Sequence, residues 1–378
     1  MQLSIPVASG VEASVKRQLR SMGYGECPAL QGRIALEGDW QDVARLNVSL
    51  RSGERVLLVL AQFYAPDFDT LFENVSKIAW EEFFTPHTKI LMDGKCRESA
   101  LMAVKVTGGV IKKAIVERLR AKLGVQTLDE RGERAVVNFD VFENLATIAL
   151  DTSGDGLHKR GYRVLSYEAP LRETTAAALV ESSFFHAGKP FADVFCGSGT
   201  IPIEAALYMR RIAPGINRHF DFEKWKCVPG GSLGRAREEA RDREFKEKLP
   251  FLSASDISPR AVETALYHAK RAGVDGDIDF RVQDMRKFSS SQRYGVLISN
   301  PPYGERMKGD MFTLYRDFGK MFRALPDWSC VFLSSYADAA RAFGGNVTKR
   351  RHIGNAKIAC TLYTYAGKRP NVTHCNPM

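Results

Sequence analysis

The chain has 378 residues, 44% of them hydrophobic and 26% charged, and a formal net charge of +10. That length exceeds one ordinary domain, and the composition excludes disordered and fibrous classes. No apolar run approaches the roughly 20 residues of a membrane helix. The opening MQLSIPVASGVEASVKRQLR has no basic segment followed by an apolar one, so no secretory signal is expected.

The front of the chain alternates short helices and strands. GVEASVKRQLRSMG sets Val11, Val15, Leu19 and Met22 at helical spacing and ends at Gly23. QDVARLNVSLRSG predicts a second helix, RVLLVLAQFYA a strand, and DTLFENVSKIAWEEFF a further helix. TGGVIKKAIVERLRAKLG predicts a helix with Ile111, Ile115 and Leu119 inside. Its outer face carries Lys112 and Lys113, candidates for phosphate contact, although a solvated face is the commoner role of such residues. RAVVNFDVFENLATIALDTSG predicts two strands around a turn. The stretch SGDGLHKRGYRVLSYEAPLRE has little periodicity and marks a hinge near residue 160. Its His158, Lys159, Arg160 and Arg163 are further candidates for RNA contact.

Strands and helices then alternate along the second half. PFADVFC, FLSASD, IDFRVQD, YGVLISN, SCVFLSS and GNAKIACTLYTYAG are predicted strands. GTIPIEAALYMRR, SPRAVETALYHAKRAG and MFTLYRDFGKMFRAL are predicted helices. The expected class is α/β: a doubly wound, mostly parallel sheet preceded by an α+β region. Charge is divided along the same line. Residues 1–160 hold 21 Lys+Arg and 21 Asp+Glu, and residues 161–378 hold 33 and 23, so the whole excess lies in the second half. A basic balance suits an acidic partner such as nucleic acid. Seven scattered cysteines, with no C-x-x-C pair, argue for a reducing, cytoplasmic setting and against disulfides or a metal site.

Ligands of such sheets bind at the carboxyl ends of strands, so the strand tips carry the chemistry. The first runs through Asp193 into the glycine turn Gly197-Ser198-Gly199, with a helix starting at Thr200. The third position of a dinucleotide fingerprint is Pro202, so this is not G-x-G-x-x-G, and no Gly-Lys-Ser/Thr follows to make a P-loop. The second tip is Asp256, suited to the two hydroxyls of a ribose, and the third is Asp284, suited to an adenine amino group. The fourth is Asn300-Pro301-Pro302-Tyr303. Adjacent prolines offer no N–H to a ladder. They give a stiff segment with free carbonyls between an amide and an aromatic ring.

This ordered set resembles the class I S-adenosylmethionine-dependent methyltransferases that act on amino groups. The resemblance implies S-adenosyl-L-methionine as cofactor. It implies a cofactor shell of Asp193, Cys196, Gly197, Ser198, Gly199 and Thr200, then Asp256 with Ile257, Asp284 with Met285, and Asn300. It implies Asn300, Pro301, Pro302 and Tyr303 as the catalytic segment around a planar nitrogen target. A likeness along the whole chain, carried by ASGVEASVKRQL, LNVSLRSGERVLL, SGDGLHKRGYR, APLRETTAAALV, APGINRHFDFEKW and NPPYGER, is to bacterial THUMP-domain RNA methyltransferases. These are similar to the N-terminal half of the bifunctional 23S rRNA guanine-N2 methyltransferase. It implies a ferredoxin-like part over 1–45, a THUMP RNA-binding domain over 46–155, a linker over 156–170 and a Rossmann-like domain over 171–378. It implies N2-methylguanosine as product and RNA, 23S rRNA or a ribosomal precursor, as partner, with no metal and no membrane. Asn355-Ala356 stands where that family's hairpin turn would have Asn-Gly. Other readings are an adenine-N6 DNA or RNA methyltransferase, a tRNA guanine-N2 methyltransferase, a glutamine-modifying protein methyltransferase, and an RNA-binding protein with a silent cofactor fold.

Overall fold

Period-two alternation builds the first sheet. In QLSIP, Leu3 and Ile5 are fully buried, and in RIALE so is Ile34. The two strands pair antiparallel in the register Leu3↔Leu36 and Ile5↔Ile34, which puts the apolar residues on one face. The structure, a computed structural model, describes residues 1–30, 32–165, 171–186, 188–303, 310–355 and 358–368. The linker residues 166–170, residues 304–306 of NPPYGER, and Ala356 therefore lie outside the described residues.

Seven strands form this sheet: β1 (Gln2–Pro6), β2 (Ala29–Leu30), β3 (Arg33–Glu37), β4 (Leu57–Tyr64), β5 (Lys89–Arg97), β6 (Arg134–Phe142) and β7 (Leu145–Asp151). Their order is β2-β3-β1-β4-β7-β6-β5, antiparallel except for β5 with β6. The β6–β7 hairpin turns on Glu143 and Asn144, both at positive φ, as a two-residue turn matching strand twist requires. Helix α2 (Trp40–Ser49) opens on a capping box between Asp39 and Asp42, and α3 (Phe68–Lys77) on the Asp67 side chain, which accepts from the Thr70 N–H at 2.7 Å. The sequence led us to expect α3 to run on through Phe84. It stops at Lys77, and Trp80–Glu82 form a separate 3-10 turn. Helix α4 (Val104–Leu123) buries Ile111, Ile115 and Leu119 completely, as their spacing predicts.

The chain divides into two compact units, neither contiguous in sequence. The first comprises Met1–Val7, Gly23–Leu157 and Gly215–Ala240, and the second Ala8–Met22, His158–Pro214 and Arg241 onward. Helix α1 (Glu12–Ser21) belongs to the second unit. Its Ser14 hydroxyl and Gln18 amide both donate to the Glu181 carboxylate, and Arg17 donates to the Glu181 carbonyl at 2.9 Å. Segment 215–240 belongs to the first. The Gly215 N–H donates to the Val48 carbonyl at 2.8 Å, Arg45 pairs with Glu239 at 3.0 Å, and the Trp225 ring meets Trp40 and Phe83 edge-on.

The second unit also holds α5 (Glu173–Ser182), β8 (Phe191–Asp193), α6 (Thr200–Met209), β9 (Leu252–Asp256), α8 (Pro259–Ala272), β10 (Ile278–Val282), β11 (Val296–Ser299), α9 (Met311–Arg323), β12 (Ser329–Ser334), α10 (Ala339–Phe343), β13 (Lys349–Asn355) and β14 (Ile358–Tyr365), while most of α7 (Ser232–Asp242) falls in the first. The strand order is β10-β9-β8-β11-β12-β14-β13. The first five strands are parallel, and β14 and β13 antiparallel. Strands β11 and β12 are buried at every position, as continuous apolar runs covered on both faces must be. The expected doubly wound, mostly parallel sheet is present. No helix among the described residues is long and apolar enough to cross a membrane.

Candidate active site at the carboxyl ends of the strands

The chain steps outward from β8 to β9 and β10 on one side, then returns to lay β11 on the other. This is the topological switch point, where a crevice opens beyond the strand tips.

The turn after β8 uses its two glycines differently. Gly197 and Gly199 both have positive φ, 51° and 84°. A Cβ on Gly199 would lie 2.8 Å from the Ala265 Cβ on α8, whereas one on Gly197 meets nothing within 4 Å. Gly199 lets α8 pack close, and Gly197 leaves room. Asp256 closes the turn: one carboxylate oxygen accepts from the Gly197 N–H and the other from the Ser258 N–H, both at 3.0 Å. Each oxygen keeps a lone pair for another donor. Cys196, Ser198 and Thr200 are buried and build the turn rather than present side chains. Burial pushes the Cys196 thiol well up. The Ser198 carbonyl faces Nδ1 of the buried His268 at 3.1 Å.

The β8 and β11 tips are braced to each other. Asp193 is 1% exposed. Its Oδ1 accepts from the Ser299 hydroxyl at 2.7 Å and the Phe195 N–H at 3.1 Å, and Ser299 Oγ accepts from the Val194 N–H at 3.2 Å. Burial, only partly offset by those donors, raises the Asp193 carboxyl to about 7. Its Oδ2 is buried without a hydrogen-bond partner among the described residues, and so is Oδ1 of Asn300, the residue after Ser299. Two orphaned acceptors at adjacent tips are uncommon and point to a donor-bearing ligand. Ser299 escaped the sequence reading because nothing in the chain order tells which two tips become neighbours.

The remaining tips are less uniform. Ile257, beside Asp256, is 67% exposed, an apolar side chain left where a flat ring could rest. Asp284 is engaged by Arg286, through the guanidinium at 2.7 Å and the backbone N–H at 2.9 Å. This pairing holds the carboxyl below its usual range. Met285 is 5% exposed in the core with Phe318 and Phe332, so its side chain is structural and only its backbone is left for the expected cofactor contact. Tyr303 is 3% exposed, with its hydroxyl near the Cys360 thiol at 3.8 Å. The expected open stacking platform is therefore covered in this conformation. Pro301 is buried and Pro302 half-buried. The Tyr315 hydroxyl pairs with Ser334 at 2.7 Å and reaches the Pro302 carbonyl at 3.5 Å, a support no sequence motif signalled.

The expected RNA contacts of the hinge need correction. The Arg160 side chain is 2% exposed and pairs with the fully buried Glu204 at 3.4 Å, whose same oxygen accepts from the Tyr162 hydroxyl at 3.1 Å. Arg163 pairs with Glu173 at 3.1 Å and donates to the Leu171 carbonyl at 2.9 Å. These two arginines fasten the hinge into the second unit. Lys159 is exposed and His158 half-buried. On α4, Lys112 pairs with Glu130 at 2.7 Å, and the exposed Lys113 lies 3.8 Å from Glu117. Among the described residues no three His, Cys, Asp or Glu side chains cluster as a metal site.

A parallel sheet of this order, with a glycine turn, an acid after the second strand and Asn-Pro-Pro-Tyr after the fourth, defines a class I methyltransferase. Residues 160–364 match the family described as RMKL-like, methyltransferase domain, residues 2–57 the RlmL ferredoxin-like domain, and residues 65–151 the THUMP domain. The chain belongs to this RMKL-like methyltransferase family. It is 38% identical over 363 residues to "Putative RNA methyltransferase YpsC" of Bacillus subtilis (strain 168), covering 95% of this chain and 94% of that one. It is 33% identical over 380 residues to "Ribosomal RNA large subunit methyltransferase K/L" of Psychromonas ingrahamii, covering 97% of this chain but only 51% of that longer protein. Among solved structures, "SMU.472, a putative methyltransferase complexed with SAH" superposes with a TM-score of 0.91 at 34% identity, covering 98% of both chains. S-adenosyl-L-methionine is the cofactor. The residues fit it: orphaned acceptors on Asp193 and Asn300, room at Gly197, free lone pairs on Asp256 and an exposed Ile257.

Proposed function

We propose that the chain methylates the exocyclic N2 amine of a guanosine in RNA, with 23S rRNA as the favoured substrate. The observation that carries this reading is the Asn300 side-chain carbonyl oxygen, buried beyond β11 with no hydrogen-bond partner among the described residues. An amino group on a base is a poor nucleophile because its lone pair is delocalised into the ring. Asn300 Oδ1 and the Pro301 carbonyl can accept its two hydrogens, which turns the lone pair out of conjugation. Both acceptors also stabilise the positive charge that develops on nitrogen. When bound, S-adenosyl-L-methionine supplies an electrophilic methyl on a sulfonium. The protein holds the amine in line with that methyl, and most of the acceleration comes from this positioning. The Asp193–Ser299 brace fixes the backbone that carries Asn300. Tyr303 stacks on the base once its ring is uncovered. The RNA substrate is supported by the names of two relatives, and the large-subunit target by one whose length this chain half spans.

The test is transfer of labelled methyl from the cofactor to total RNA prepared from cells lacking the gene, followed by separation of rRNA from tRNA and mass spectrometry of the nucleosides. N2-methylguanosine is expected. N6-methyladenosine would replace the guanine reading, and label in tRNA alone would move the substrate. Label in no RNA at all would sink the proposal.

A further inference from the structure

The second unit carries a cleft of about 890 Å³ at the amino ends of its parallel strands, opposite the tips described above. Lys189 lies just before β8, Arg293 and Tyr294 just before β11, and Lys368 just after the antiparallel β14. Phe184, beyond the end of α5, is 39% exposed. No described residue lining the cleft is acidic.

Two features go beyond an incidental dent. Tyr294 has φ 57°, a left-handed conformation that is uncommon for a bulky residue and costs about 1–3 kcal/mol where it persists. Directly after it, a Cβ on Gly295 would stand 2.5 Å from the Trp328 ring, so the backbone passes close over that indole. The Arg293 guanidinium lies 5.1 Å from the Tyr294 ring centroid and is anchored on Asp327 at 3.0 Å, so ring and cation are held as a pair. Second, Lys189 is half-buried with no acidic partner within ion-pair reach among the described residues. A partly desolvated ammonium without a counter-ion is unfavourable until an anion joins it. An exposed ring, Phe184, with the half-buried Tyr294 and an unpaired lysine close by, is the chemistry of nucleotide binding: bases stack on rings, and lysines take phosphates.

We propose that this cleft binds a nucleotide segment of the RNA substrate, remote from the methylated base. The inference rests on the RNA reading above. Strand β12 has six residues, about 20 Å, so the two ends of the sheet cannot hold the same nucleotide. The cleft takes a neighbouring stretch of the strand, or another arm of a folded RNA.

The test compares the full-length parent with Lys189→Gln and Phe184→Ala. RNA affinity is read by anisotropy of a fluorescein-labelled single-stranded oligoribonucleotide over a range of salt, and S-adenosylhomocysteine affinity by calorimetry. Phe184→Ala should weaken RNA binding roughly 5- to 100-fold. Lys189→Gln should weaken it and lower the salt slope by about one. Both variants should keep the parent's S-adenosylhomocysteine affinity, which shows an intact fold. RNA affinity within twofold of the parent in both variants overturns the inference and leaves the RNA reading standing. A parent that binds no RNA overturns that reading as well. If GMP alone saturates the parent and is lost in Phe184→Ala while RNA binding is unchanged, the cleft is a free-nucleotide site and the proposal falls.

Discussion

Asn300 and Asp193 lie on neighbouring strand tips, and each has a buried acceptor oxygen with no hydrogen-bond partner among the described residues. They should answer differently to substitution. Asn300→Ala removes an acceptor for the substrate amine and leaves the brace behind it. Turnover should fall by about 2–4 kcal/mol in barrier, the scale of one positioned transition-state contact, with cofactor affinity by calorimetry nearly unchanged. Equal losses in both would mean that Asn300 serves the cofactor instead. Asp193 is a matter of pH. Its folded pKa is raised by burial from 3.8 to about 7, so in that window the folded protein holds a proton that the unfolded chain does not. That contribution to stability is full below about pH 4 and is lost as pH rises through about 7. Asp193→Asn stays neutral and keeps an acceptor for Ser299. Its stability relative to the parent should therefore climb from pH 4 to pH 8 in urea unfolding. A constant difference across that range would remove Asp193 from the interior. The acids at the tips and the Asn-Pro-Pro-Tyr string were legible because strand ends announce themselves in the chain. The hydroxyls of Ser299 and Tyr315 were not, since their partners are set by which strands become neighbours.

Among the elements, the turn between β8 and α6 separates packing from ligand room. Gly199→Ala puts a methyl against Ala265 on α8 at positive φ, so it should destabilise the protein by about 1–3 kcal/mol, read as a lower Tm. Gly197→Ala meets open space and should cost only about 1 kcal/mol, while cofactor affinity drops because the methyl enters the crevice. The reverse pattern would exchange the two roles. Elements with clean periodicity were readable: the α4 stripe, and the apolar runs of β11 and β12. Helix α5 was not anticipated. Glu173 through Val180 are buried all round, leaving no polar face to set a period. Strand β13 is KRRHIGN, an edge strand whose charges mask its alternation. The hinge misled in the same way. Its arginines have the composition of a solvated loop, yet Arg160 is buried because Glu204, 44 positions further along, waits for it.

At the scale of the molecule, a cut at the hinge does not separate two bodies. A chain beginning at residue 158 lacks Ala8–Met22, which belong to the second unit. It exposes the face of α5 on which α1 packs and strips the Glu181 carboxylate of Ser14 and Gln18. Such a fragment should melt lower than the full chain and bind the cofactor more weakly, by scanning calorimetry and titration. Adding back a peptide of residues 8–22 should recover part of both. A fragment as stable as the parent would show that α1 contributes nothing there.

The exchanged segments also bear on how the protein is made. Synthesis is vectorial, and leading domains usually fold as they leave the ribosome. Here the first unit cannot be completed when residue 157 emerges, because 215–240 are still to come. At ordinary elongation rates those 83 further residues, from 157 to 240, take on the order of 4–17 s. Through that interval Trp40 and Phe83 have no Trp225 to cover them. The nascent chain carries this exposed apolar patch at the stage when a chaperone would find it, and a gene break at the hinge would make it permanent.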